Sequence, residues 1–310
     1  MDNLCHTLAG AALGEAGLKH QTALGVSTLL IASNLPDIDV AVFVTDTLAM
    51  SFRRGWTHGV LSLAILPAMF AGLMLAVNRF TNKRRANIGG LLLLSYIATW
   101  LHVFMDWLNS YGVRLLMPFS NRWFYGDALF IVDPILYLMF GVAIVWSRIR
   151  IARAKPSPSR PARIGLVAAG VYVTVMLASN TWARAEVRRG LDRAGRPPDT
   201  RFMVTPVLAN PFRREVIVDT GERYEKGLLW FEPAPHFRPT GFGVDVQASH
   251  PAAQRAAETP LFQSYLRWSR FPFFIVDPAP DGVLVHLNDF RYSAGVGGRL
   301  GWSVVSTVVR

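Results

Sequence analysis

Two pairs of residues define the chemistry open to this chain. His102 and Asp106 stand four positions apart, a spacing that on a helix stacks both side chains on one face, within reach of a common ion. Asp37 and Asp39 flank Ile38 just after Asn34-Leu35-Pro36, where a proline breaks the helix and lets two carboxylates turn toward one cavity. His6 and His58 add two imidazoles. All six residues fall within or at the ends of apolar segments, where an ionisable side chain is costly to keep and marks a candidate site. Histidine and carboxylate are ligands of first-row metals. The candidate ligands are therefore His6, Asp37, Asp39, His58, His102 and Asp106, with Asp37 or Asp39 as candidate general base. A single cysteine, Cys5, excludes an intrachain disulfide and a Cys-Cys zinc framework.

Each residue also has a plainer reading. His6 suits an interfacial or capping position, His102 and Asp106 a simple hydrogen-bonded pair, and Asp37 and Asp39 a turn with an N-cap. Asp127 and Asp133 bracket the start of another apolar segment; Asp133 precedes Pro134 and suits an N-cap, and both remain candidate contacts to ligands or substrate. His236, His250 and His286 have no ligand-like spacing.

The elements that position these residues are apolar runs of membrane length. Gly59 to Val77, Ile88 to Leu108, Leu129 to Trp146 and Ile164 to Trp182 each approach the roughly 20 residues a helix needs to cross a hydrocarbon core. Leu4 to Leu18 and Thr22 to Ser33 are shorter, and predict half-spanning helices. Such interrupted helices need protein or a watery cavity around their freed backbone groups, which points to a site near Asn34 to Asp39. Of the 310 residues, 51% are hydrophobic and 17% charged. After residue 183 the composition becomes that of a soluble fold, with β-branched or aromatic runs at Glu215 to Val218, Gly227 to Phe231, Phe273 to Val276, Gly282 to Leu287 and Ser303 to Val309. The expected architecture is an α-helical polytopic membrane domain, residues 1–183, followed by a small β-rich soluble domain, residues 184–310.

The formal net charge of +11 would suit nucleic acid in a soluble protein, but most of it sits in short segments between apolar runs. Arg79, Lys83, Arg84 and Arg85, and then Arg148, Arg150, Arg153, Lys155, Arg160 and Arg163, mark cytoplasmic loops. Met50 to Thr57 and Asn109 to Gly126 hold only Arg53, Arg54, Arg114 and Arg122 and belong on the opposite face. The β-rich domain then emerges outside the cytoplasm, and the partner is a lipid bilayer rather than nucleic acid. Pro156, Pro158 and Pro161 predict a stiff linker, and Gly190 to Pro198 a hinge. Trp100, Trp107, Tyr111, Trp123 and Tyr125 read as an interfacial aromatic belt. Met1 to Thr7 lacks a basic signal-peptide region, so the N-terminus is expected to be retained.

His6, Asn34-Leu35-Pro36-Asp37-Ile38-Asp39, Arg54-Gly55-Trp56-Thr57-His58-Gly59 and His102-Val103-Phe104-Met105-Asp106 resemble the YdjM-type family of inner-membrane proteins, assigned by motif as metal-dependent hydrolases. Tyr125-Gly126-Asp127 and Ile131-Val132-Asp133-Pro134 also resemble it. The order His, Pro-Asp, His, His-x-x-x-Asp is similar to part of the zinc-dependent phospholipase C and P1 nuclease pattern, although no later His-x-x-x-Glu pair completes a three-metal cluster. The resemblance implies a bacterial inner-membrane location and a mono- or dinuclear site, with Zn²⁺ first and Mn²⁺ or Fe²⁺ as alternatives. The expected activity is hydrolysis of a phosphoester or ester on a lipid-like, amphiphilic substrate. Two other classes fit the same residues: a cation transporter, and a non-catalytic membrane anchor with a structural metal. Few spans and the absence of a detectable inverted repeat count against the transporter.

Overall fold

The computed structural model describes residues 1–44, 52–81, 85–232, 236–294, 300–301 and 304–309. Lys83, Arg84, Ser303 and the Met50 end of the Met50 to Thr57 segment lie outside the described residues. The chain has a helical N-terminal part with several apolar candidate spans and a C-terminal part of antiparallel sheets. Contacts divide it into two compact units, one comprising Met1–Ala41, Arg53–Asn180 and Pro206–Asn210, the other Val42–Phe52, Thr181–Thr205 and Pro211–Arg310.

In the first unit, α1 (Asn3–Glu15) starts at Asp2, whose carboxylate accepts from the amides of Leu4 and Cys5, an N-cap of the usual kind. Helix α2 (Gly25–Ala32) ends at Ser33 and is followed by a 3-10 segment, Leu35–Val44. The two meet at a 46° bend over the Asn34-Leu35-Pro36 break. The side chain of Asn34 fastens this break, donating to Thr7 Oγ1 at 2.9 Å and to the Leu30 carbonyl at 3.0 Å. Gly10 lets α1 and α2 touch: a Cβ there would lie 2.3 Å from Ser33 Oγ and 2.9 Å from the Leu29 carbonyl oxygen.

Four further helices are long and apolar enough to cross a membrane: α3 (Val60–Thr81), α4 (Ile88–Trp107), α5 (Pro134–Ala152) and α6 (Arg160–Arg193). Each carries large apolar side chains on its surface, Met69 and Leu73 on α3, Leu138 on α5 and Val167 on α6, all more than half exposed. Exposed apolar surface on this scale suits lipid. Helix α5 begins later than the apolar run Leu129 to Trp146 suggests. Asp133 caps it by accepting from the amides of Ile135 and Leu136, and Pro134 fits the first helical turn. The amides of Ala128 and Leu129 instead bond to the carbonyl of Leu108, so that stretch is held as a non-helical strap over the end of α4. Helix α6 runs through Gly190 to Arg193, where the sequence suggests a hinge.

The second unit holds a four-stranded sheet, β1 (Phe202–Val207), β2 (Asn210–Asp219), β3 (Arg223–Trp230) and β4 (His236–Asp245), in that order. The last part of α6 places Ala183, Val187 and Leu191 against Val204, Val216, Val218 and Leu229, an i, i+4, i+8 stripe packed on a sheet face. Strands β5 (Pro272–Ala279), β6 (Gly282–Asp289) and β9 (Val305–Val309) form a second antiparallel sheet, and β7 (Ser293–Ala294) with β8 (Leu300–Gly301) a short third. Two short helices not legible as such in the sequence, α7 (Pro251–Ala257) and α8 (Pro260–Trp268), precede β5. A buried ion pair lies just beyond α8: Arg291 grips Asp289 with Nε at 2.9 Å and Nη2 at 2.8 Å, while Ser269 Oγ and the Arg270 amide donate to the same carboxylate. Burial alone would push the Asp289 carboxyl up, but Arg291 and the hydrogen bonds hold it below its ordinary value.

Candidate metal centre

Three chain segments converge on one buried point. The α4 helix supplies His102 and Asp106, one turn apart on its buried face; the 3-10 segment after the α2 break supplies Asp37; and the turn before α3 supplies His58. One ligand atom from each of these four residues lies within 4.8 Å of the others, and all four residues are buried. The spacing is that of a set that can share one ion.

Hydrogen bonds behind the two histidines fix which nitrogen faces the centre. His102 Nδ1 lies 2.7 Å from the carbonyl oxygen of Ser33. A carbonyl can only accept, so Nδ1 carries a proton, and in the neutral imidazole Nε2 is then a bare lone pair. Thr57 Oγ1 donates to Asp39 Oδ2 at 3.1 Å, so toward His58 Nδ1, 2.9 Å away, its oxygen accepts. His58 Nε2 is thereby also unprotonated. The two Nε2 atoms face each other at 3.3 Å. Two lone pairs so placed repel unless a cation lies between them. Asp106 Oδ2, 3.3 Å from His58 Nε2 and 3.6 Å from His102 Nε2, is fully buried and accepts no well-aligned hydrogen bond. The donor set, with Asp106 Oδ2 ion-paired to Arg54 Nε at 2.9 Å but without an aligned hydrogen bond, fits a divalent metal.

The remaining candidates surround these four. His6 on α1 stacks on His102, ring centroids 3.7 Å apart, and its Nε2 lies 3.2 Å from Asp106 Oδ1, an atom also touched by the Met1 amino group. Asp39 is held by Arg53 Nε at 3.2 Å and by the Arg54 amide at 2.7 Å, besides Thr57. Asp37 Oδ1 lies 4.0 Å from both histidine Nε2 atoms and accepts from Arg53 Nη2 at 2.8 Å. Asp133 caps α5 and accepts from the Tyr172 hydroxyl at 3.0 Å. Asp127 is buried, with a left-handed φ of 50°. Neither is among the four converging residues.

Sequence reasoning treats Arg53 only as a loop charge and Arg54 as a loop charge that opens the Arg54-Gly55-Trp56-Thr57-His58-Gly59 motif, with no contact to the centre for either. Arg54, also left-handed at φ 55°, is buried, with Nε 2.9 Å from Asp106 Oδ2, Nη1 donating to Asn109 at 3.0 Å and Nη2 to the Met1 carbonyl at 3.2 Å. Tyr111 is buried beneath its guanidinium, 4.6 Å away, rather than in an exposed aromatic belt. The signal was the anomaly itself: two adjacent arginines in a loop that the charge distribution assigns to the side poor in basic residues.

Residues 1–183 match the YdjM inner membrane protein family. That match covers more than half of the chain, which therefore belongs to this family of membrane proteins. An uncharacterized protein of Bacillus subtilis (strain 168), YfhP, is 26% identical over 159 residues, covering 47% of this chain and 46% of YfhP. The similarity thus spans less than half the length of that relative. No solved structure matches the chain.

Proposed function

We propose that the centre holds a divalent metal, Zn²⁺ ahead of Mn²⁺ or Fe²⁺, and that the protein is a membrane-bound hydrolase of a phosphoester or ester in an amphiphilic substrate. The observation that carries the reading is the pair of His58 and His102 Nε2 atoms facing each other beside the buried Asp106 carboxylate. Asp37, His58, His102 and Asp106 would hold the ion, with His6 as a further ligand from the stacked layer. A bound ion of this kind supplies a water with its pKa lowered to about 7 and polarises a phosphoryl or carbonyl oxygen. Asp39 and Thr57 keep His58 in the ligating tautomer. Asp37, the carboxylate shared between Arg53 and the centre, or Asp39 accepts the proton of the attacking water. Asp127 and Asp133, from the α4–α5 connection, would contact the ligands or the substrate from outside the four-residue set. We further place residues 1–183 in a bacterial inner membrane and the β-rich residues 184–310 on its extracytoplasmic side, so that a head group reaches the centre from that face while its tail stays in lipid.

A second reading, a structural metal in a membrane anchor, is favoured by the count of four protein ligands, since closed structural sites use four. Elemental analysis of detergent-purified protein, followed by turnover of short-chain phosphoesters and carboxylic esters by the metal-loaded and chelator-treated forms, separates the readings. Metal with chelator-sensitive turnover supports the hydrolase; metal without turnover of either ester class supports the anchor; a protein that takes up no metal removes both.

A further inference from the structure

We propose that Arg53 is the substrate-recognition residue of this centre and that the group it takes is the singly charged phosphate of a phosphodiester; this rests on the metal-dependent reading above. Arg53 is the more open member of the cluster, its side chain 25% exposed, while the side chains of Arg54, Asp37, Asp39, His58, His102 and Asp106 are at most 7% exposed. Its Nε and Nη2 form the edge of the fork that pairs bidentately with a single oxyanion. Here that edge is split between two carboxylates, Asp39 Oδ1 and Asp37 Oδ1. The second of these is the atom that also faces both histidines. Turning Asp37 toward an ion between His58 and His102 takes the acceptor away from Arg53 Nη2, and a phosphate oxygen entering from the open side replaces it.

Charge selects the substrate class. Asp37 and Asp106 balance a divalent ion, and Asp39 balances one of the two guanidinium groups of Arg53 and Arg54. At least one positive charge is left over at the loaded centre, because the Met1 amino group beside Asp106 Oδ1 can only add to it. A neutral carboxylic ester leaves this excess uncompensated in a largely buried site, whereas a phosphodiester, with one negative charge, offsets it. Arg54 cannot serve in its place, because its three nitrogens are committed to Asp106, Asn109 and Met1.

The test is calorimetric titration of the zinc-loaded, detergent-purified full chain with diethyl phosphate, using the neutral triethyl phosphate as control, on wild type, Arg53→Gln and Arg53→Lys. Zinc content is measured on every sample. Wild type is expected to bind the diester in preference to the triester. Arg53→Gln should weaken diester binding about 10-fold or more, the loss of one charge-assisted hydrogen bond. Arg53→Lys, which keeps the charge but not the fork, should weaken it less, with zinc retained. Equal diester affinity in all three proteins, or equal affinity of wild type for the diester and triester, overturns the assignment while leaving the metal centre standing. Zinc lost from Arg53→Lys overturns it too, since Arg53 then only holds Asp37. Wild type that takes up no zinc overturns this proposal together with the reading beneath it, and the metal analysis alone reveals that case.

Discussion

His58 Nε2 and His102 Nε2 face each other across 3.3 Å, and an acceptor behind the other nitrogen of each leaves both as lone pairs in the neutral imidazoles. On the proposed metal-binding reading, removing either imidazole, or the Asp106 carboxylate beside them, takes away a ligand rather than a support. His58→Ala, His102→Ala and Asp106→Ala are each expected to weaken metal binding by more than the roughly 10- to 100-fold typical of losing an outer hydrogen-bond partner. Metal content after dialysis against a weak chelator checks this. Full occupancy in any one variant strikes that residue from the ligand set.

Thr57 tests the relay behind His58. Thr57→Val keeps the shape but deletes the hydroxyl that joins His58 Nδ1 to Asp39. Metal affinity should fall about 10- to 100-fold with the fold intact, as read by competition with a metal-sensitive dye. Unchanged affinity would mean that the tautomer of His58 is set by something other than Thr57.

Gly59 lies beside the centre without touching it. A Cβ at this position would stand 2.4 Å from the Met117 carbonyl oxygen and 2.9 Å from Met117 Cβ, so Gly59→Ala forces the start of α3 away from the Asn109–Asp133 connection. Overpacking of this sort costs about 1–3 kcal/mol. The variant is expected to melt several degrees lower in detergent and to bind metal less tightly, because His58 is the neighbouring residue. A melting temperature equal to that of wild type would show that the connection yields freely.

Acid should loosen the β-rich unit through Asp289. Its carboxyl is held below the ordinary value by Arg291 and the surrounding donors, against the opposing effect of burial. A depressed folded-state pKa contributes stability that is complete above the unfolded value of about 3.9 and is lost as pH falls through the folded value. Amide-exchange protection at Arg270 and Arg291, whose N–H groups donate to Asp289, is therefore expected to hold from neutral pH down to about 4 and to collapse below it. Asp289→Asn should lower protection already at neutral pH, by about 3–5 kcal/mol where a buried Arg loses its partner. Wild-type protection in this variant would remove the ion pair from the account of the unit's stability.

The centre was more legible in the sequence than the elements around it. Ionisable residues in apolar segments are rare enough that His58, His102, Asp37 and Asp106 stand out without any structure, and the i, i+4 spacing of His102 and Asp106 places them together on a helix. What could not be read was the shell that orients them. The Ser33 carbonyl carries no side-chain signal, and Arg54 acts through a left-handed backbone that no composition rule anticipates. The apolar run starts at Leu129, whereas α5 starts at Pro134 behind the Asp133 N-cap that the sequence also suggests, because capping rather than hydropathy sets where a helix begins. In the β-rich unit, β6 stood out by its β-branched run, whereas β4, with Pro239, Gly241 and Gly243 in its length, carries turn residues inside a strand and was missed.

The contact between Gly10 and Ser33 gives the centre a weakness that its ligands do not show. Ser33 supplies the carbonyl that sets the tautomer of His102, and it sits where it does because Gly10 presents no side chain to it. A lineage can therefore lose the centre through one methyl group on α1, with every histidine and aspartate still in place. The resulting protein would keep every motif, and if the centre holds metal as proposed, only its metal content would reveal the loss.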